Sequence, residues 1–254
     1  MPDAPTPLPP LPEDWDRCLA VAAHPDDIEY GTASAVARWT AQGKAVTYLL
    51  VTRGEAGIDG MHPDVAGPLR EQEERNGAAE VGVDVVEFLN YRDGVVEGGV
   101  PLRRDITRAI RRHRPDIIVT GDHSIRMFMG MPNQADHRVV GLATLDAARD
   151  AGNRWIFPEL DDEGLQSWGG VRFVAFAGAV RPTHGVDITG EPLRRGIASL
   201  AAHAEYTKGL GDAGPEPGPF LTWMARLSGP QAGVEEAALF DVAMIRFEGP
   251  LPWD

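Results

Sequence analysis

Short apolar runs alternate with helical patterns along most of this chain, and that alternation is its strongest constraint on fold. Arg17 to Ala23, Ala45 to Thr52, Val85 to Leu89, Asp116 to Thr120 and Phe173 to Ala177 read as strands. Between and after them, Tyr30 to Gln42, Pro68 to Val81, Leu102 to His113, Asp136 to about Ala151 and Pro192 to Tyr206 read as helices. Strand and helix in turn specify an α/β fold: a Rossmann-like, mostly parallel sheet with helices on both faces in a single domain. A proline-rich arm over residues 1–14 precedes it. A Gly/Pro-rich stretch near 211–233, expected as a surface segment or lid, lies late in the domain that spans 15–254.

In such a sheet, ligands bind beyond the carboxyl ends of the strands. His24 follows the first predicted strand, Arg53 the second, and Asp122 with His137 the fourth, so these distant segments should meet at one rim. Dinucleotide binding is disfavoured, because no G-x-G-x-x-G follows the first strand. A net charge of −14 disfavours nucleic acid and anionic membrane as partners. The N-terminal residues lack a basic and apolar leader, and no run of about 18 apolar residues occurs, so a cytoplasmic protein is expected. The lone cysteine, Cys18, sits in an apolar run and reads as a core residue.

The turn after the first strand concentrates chemistry. His24-Pro25-Asp26-Asp27 puts one imidazole and two carboxylates at a strand-to-helix junction. His24 and Asp27, at i and i+3, can face one point, while Asp26 is left as a base. A hydrolytic zinc site takes three protein ligands and keeps a position open for water. His137, in Asn133-Gln134-Ala135-Asp136-His137, is the best third ligand. Mixed imidazole and carboxylate ligation suits Zn2+, with Fe2+ or Mn2+ as alternatives. As a bare turn, the tetrad would also serve as a helix cap.

Ala23-His24-Pro25-Asp26-Asp27 with the downstream Asp136-His137 resembles the PIG-L/LmbE family of zinc-dependent N-deacetylases. Val51 to Gly57, Leu69 to Glu74 and Pro182 to Thr189 match in the same order. The resemblance implies His24, Asp27 and His137 as metal ligands and Asp26 as general base. It implies substrate binding by Arg70, which could otherwise merely pair with Glu74, and it implies a small N-acylated substrate, most simply an N-acetylated amino sugar. Asp136 is assigned to substrate binding, to orienting a ligand, or to a helix cap.

One departure stands out. The family's third-ligand motif commonly carries a histidine as acid or oxyanion stabiliser, and here that position is Gln134. Glutamine donates a hydrogen bond but cannot deliver a proton near neutral pH. Proton return then falls to Asp26 or to another histidine, with His184 favoured over His123. Rival readings are an amidase acting on a thiol conjugate or another amide, and a non-catalytic metal- or sugar-binding relative. His203 reads as structural, His62 as solvated loop, and Trp223 as a sugar-stacking aromatic. Self-association is left open.

Overall fold

A computed structural model describes residues 6–127, 130–211 and 214–246. Seven strands form one sheet: β1 (Arg17–Ala22), β2 (Ala45–Leu50), β3 (Val85–Phe88), β4 (Ile117–Gly121), β5 (Phe173–Ala177), β6 (His184–Asp187) and β7 (Ala237–Met244). Their order is β3-β2-β1-β4-β5-β7-β6. The first five are mutually parallel, while β7 runs antiparallel to both β5 and β6. From β1 the chain builds outward through β2 and β3, then returns to lay β4 and β5 on β1's other side. The crevice between the carboxyl ends of β1 and β4 is therefore the topological switch point, where such sheets take ligands.

Nine helices accompany the strands: α1 (Asp27–Gly31), α2 (Ala33–Ala41), α3 (Pro63–Glu80), α4 (Val100–His113), α5 (Ala135–Asp150), α6 (Glu159–Asp162), α7 (Glu191–Ala201), α8 (Ala204–Gly209) and α9 (Pro217–Ala232), counted among the described residues. Alternate strand residues feed two cores. Ala20, Tyr48 and Val119 join Val36 and Trp39 of α2, Leu200 of α7 and Leu221 of α9 on one face. Leu19, Val21 and Ile118 join Ile106 and Ile110 of α4 and Val140 and Ala147 of α5 on the other. The period-two alternation thus covers both faces, as a parallel sheet requires.

Two expectations change. The stretch near 211–233 holds a 16-residue helix, α9, with Pro217 in its first turn, the αL residue Gly233 as its C-cap, and buried residues Leu221, Ala225 and Gly229 four apart. Strands β6 and β7 were not expected, although β7 supplies the sheet's long antiparallel member. Residues 6–14 lie on the surface of the domain: Leu11 is buried, Pro10 bridges Gly185, and Glu13 binds Arg38, Trp39 and Gln42. The remainder of the predicted arm, residues 1–5, lies outside the described residues. Among those described, no helix is long and apolar enough to cross a membrane.

Candidate metal and active site

β1 ends at Ala22, and the chain turns through His24-Pro25-Asp26 before α1 begins at Asp27. Asp26 takes a left-handed backbone conformation (φ 88°) as the N-cap of α1. For a non-glycine residue this costs on the order of 1–3 kcal/mol and persists only where the surroundings over-determine it. They do so here. The Asp26 amide donates to Glu74 Oε2 (3.1 Å), Asp26 Oδ1 accepts from Arg70 Nη2 (2.7 Å), and Arg70 also donates to the carbonyls of Pro25 and Gly54. Consecutive carboxylates are thereby aimed apart, Asp26 toward α3 and Asp27 toward α5.

Asp27 Oδ1 lies 3.0 Å from His137 Nε2, Asp27 Oδ2 lies 3.4 Å from His24 Nδ1, and the two imidazole nitrogens are 3.3 Å apart. A tetrahedral ion with bonds of about 2.0–2.1 Å would space its ligand atoms by nearly the same distance. The far side of each ring fixes its tautomer. His24 Nε2 lies 3.0 Å from Asp93 Oδ1 and 3.2 Å from Asp136 Oδ2, and two carboxylates only accept, so Nε2 carries the proton. Asn133 gives its amide hydrogens to the carbonyls of Asp122 and Ser124. Its Oδ1 therefore accepts from His137 Nδ1 at 3.2 Å. In these neutral tautomers three lone-pair donors converge with no hydrogen between them, an arrangement that a cation satisfies. The residues present fit a divalent metal.

The electrostatics agree. Burial alone would lower the His24 pKa, but Asp27, Asp136 and Asp93 outweigh it and push it up to about 12. The His137 pKa is likewise raised, with burial overcome by Asp27. Asp27 is driven well below the usual carboxylate range despite its burial, because both imidazoles face it. A field that draws protons this strongly draws a divalent cation in their place. Asp26 behaves differently: burial raises its pKa to about 6, and the Arg70 guanidinium limits the rise. One turn thus holds one carboxylate locked as an anion and its neighbour poised to exchange a proton near neutrality.

His24, Asp26, Asp27 and His137 come together as expected. Two further residues also reach the cluster. Arg70 is at the site, yet its guanidinium is buried, committed to Asp26 and two carbonyls, and stacked 4.0 Å from the centre of the Tyr206 ring. Asp136 is 1% exposed, accepts from the amides of Gly94 and Val96 and faces His24 Nε2, a placement that suits orienting that imidazole rather than meeting a substrate. Gln134 is the exposed N-cap of α5, one turn before His137.

His184 is not brought to the cluster. It opens β6 at the far edge of the sheet, four strand positions from β1, and pairs with Thr183 Oγ1 at 2.9 Å. At about 4.8 Å per strand, that separation exceeds any side chain's reach. Asp93, Asn133, Glu74 and Tyr206 were not anticipated. Asp93 follows β3, so the carboxyl-end rule applied to a third strand would have found it. Nothing local marks Tyr206 or the buried His203, which pack in from α8 and from the residue before it.

The comparisons with known proteins agree with this geometry. Residues 19–148, just over half of the chain, match the PIG-L family, GlcNAc-PI de-N-acetylase. Diacetylchitobiose deacetylase of Thermococcus kodakarensis is 31% identical over 186 residues, which is 69% of this chain and 65% of that protein. The 1D-myo-inositol 2-acetamido-2-deoxy-alpha-D-glucopyranoside deacetylase of Streptomyces scabiei is 30% identical over 187 residues, 59% of this chain and 56% of that one. The chain thus spans less than two thirds of the length of these relatives. In fold, N,N'-diacetylchitobiose deacetylase from Pyrococcus horikoshii superposes with a TM-score of 0.82 at 23% identity, covering 92% of this chain and 85% of the other. The strand-end histidines and carboxylates, the match over residues 19–148 and the shared fold make this chain a member of the PIG-L, or GlcNAc-PI de-N-acetylase, family.

Proposed function

We propose that this protein is a metal-dependent amide hydrolase that removes an N-acyl group from an amino-sugar-containing small molecule. The observation that carries the reading is the pairing of a converging lone-pair triangle (His24, Asp27, His137) with a separate buried carboxylate, Asp26, whose pKa is pushed up to about 6. The deacetylase names of the relatives, which act on glucosamine-containing compounds, support the same substrate class.

His24, Asp27 and His137 would hold the metal, with zinc the ion best suited to two imidazoles and a carboxylate. Such an ion, when bound, lowers the pKa of water and polarises an acyl carbonyl. The chain's own residues do the rest. Asp26, ionised above about pH 6, accepts a proton from the attacking water. As the carbon–nitrogen bond breaks, the same carboxyl returns that proton to the departing amine. Arg70 holds Asp26 in one rotamer and keeps its pKa from rising further. Gln134, exposed at the rim, offers an amide N–H to the acyl oxygen and leaves proton delivery to Asp26.

Asp26→Asn is the direct test. The zinc-loaded variant should keep one ion per chain, by elemental analysis, while kcat for acyl release falls about 10²- to 10⁴-fold. His24→Ala and His137→Ala should lose the ion itself. Undiminished hydrolysis by Asp26→Asn would end the assignment of the base, and absence of metal from replete wild-type protein would end the whole reading.

A further inference from the structure

Asp27 and His137 form part of the wall of a cavity of about 340 Å³. Its wall also includes Ile28, Val119 and Met131, and Phe220, Trp223 and Met224 from one face of α9. Asp122 and Asn133, also in the wall, are tied to Ser124 and to main-chain carbonyls. A second cavity of about 350 Å³ shares Tyr30, Thr32, Met127 and Met224 with the first and continues over Leu221 and Leu227. The metal site therefore opens into a long apolar space edged by methionines, side chains that adapt to flexible apolar ligands.

An acetyl group would leave this space almost empty, since an apolar cavity of about 150 Å³ already accommodates benzene. The direction of the cavity identifies which half of an amide enters it. The amine must face Asp26, which returns its proton, and Asp26 with Arg70 lies outside the cavity wall. Across the carbonyl carbon from the amine is the acyl substituent, and that side is where Asp27 and His137 border the cavity.

Resting on the amide-hydrolase reading above, we propose that the acyl group removed is a linear apolar chain of about eight carbons. Water would cleave its amide, forming a carbon–oxygen bond and breaking the carbon–nitrogen bond, to give the fatty carboxylate and the free amine.

The test uses the zinc-loaded protein and glucosamine bearing N-acetyl, N-butanoyl, N-hexanoyl or N-octanoyl groups. The expected kcat/KM rises about fourfold for each methylene added. A flat or falling series with N-acetyl turnover intact overturns the proposal and leaves the hydrolase reading standing. Met224→Glu, which sets a charge in the half-buried wall, should cut the octanoyl-to-acetyl ratio about tenfold or more, and an unchanged ratio also overturns the proposal. Trp223→Glu, at a position 48% exposed, gives the same reading should the first variant fail to fold. Calorimetry with octanamide and acetamide keeps the two readings apart. Octanamide should bind on the order of several thousand-fold more tightly than acetamide, about fourfold for each of its six extra methylenes, and Met224→Glu should weaken it. If that binding holds while no N-acyl glucosamine is cleaved, the apolar site stands and the hydrolase reading falls. If octanamide binds no better than acetamide, the proposal falls.

Discussion

Arg70 Nη2 stands 2.7 Å from Asp26 Oδ1, with both side chains buried, and this pair sets the working range of the candidate base. Burial raises the Asp26 pKa and the guanidinium opposes it, for a result of about 6. A base must be ionised, so kcat/KM should climb with pH through about 6 and level off above it. In Arg70→Met the opposing charge is gone, the carboxyl pKa moves higher, and the acidic limb of the profile should shift to higher pH. At neutral pH the loss should be about 10- to 100-fold. Arg70→Lys restores a charge but not the fork that also reaches Pro25 and Gly54, so its limb should fall between the two. The pH dependence of kcat/KM for the three proteins checks this.

Asp93 is a candidate positioning residue behind the three proposed ligands. It faces His24 Nε2 at 3.0 Å and accepts from the Ala56 amide, so it links the loop after β2 to the proposed metal ligand. Removing such a partner typically weakens metal binding about 10- to 100-fold. Asp93→Ala should retain the fold by circular dichroism and release zinc to a competing chelator at a correspondingly lower concentration. Asp136→Asn should behave alike, because its carboxylate serves the same nitrogen. Wild-type zinc retention in both variants would remove them from this role.

Behind Asp26, His203 Nε2 sits 3.7 Å from both Glu29 Oε2 and Glu74 Oε2, with all three side chains fully buried. Burial alone would lower the His203 pKa, but the two glutamates raise it to about 9. Because the folded-state value lies above the ordinary histidine value, the stability this contributes is complete below about pH 6.5 and is lost as pH rises through about 9. Thermal stability should therefore decline between about pH 7 and 10. In His203→Gln the buried pair loses its cation; burial and Glu29 already hold the Glu74 carboxyl well above its usual range, so the cost at neutral pH should be at most about 3–5 kcal/mol, and the decline should flatten. Melting temperatures across the pH series read both effects.

How much of this was legible beforehand depended on whether each residue's role is local. His24, Asp27 and His137 could be found because each follows a strand, and parallel strands bring their carboxyl ends to one rim. The same reasoning should have reached Asp93 after β3. Asn133 lies in the same motif as His137, yet its hold on that imidazole depends on the folded turn from Asp122 to Ser124. His203, Tyr206 and Glu74 join the site only through the tertiary packing of α3, α7 and α8, which no spacing encodes. In α9, the glycines and prolines outweighed the Leu221–Ala225–Gly229 spacing. His184 failed for a topological reason: β6 is laid down beyond β7, so closeness in motif order did not become closeness in space.

Gly54 offers the sharpest test of the Arg70–Asp26 pair, because it acts on that pair without touching either charge. Its φ is +64°, a conformation that penalises any β-carbon, and a β-carbon built there would lie 2.4 Å from Arg70 Nη1. Gly54→Ala should therefore cost about 1 kcal/mol or more in stability and push the guanidinium off Gly54 and away from Asp26. The arginine is still present, so a change in activity cannot be assigned to a missing charge. Its kcat/KM profile should carry the same shift of the acidic limb as Arg70→Met, in smaller degree, with metal content unchanged. A variant that loses stability but keeps the wild-type limb would mean that the arginine's position is unimportant to the base. A shifted limb would show that the loop after β2 sets the protonation of a carboxylate in the loop after β1.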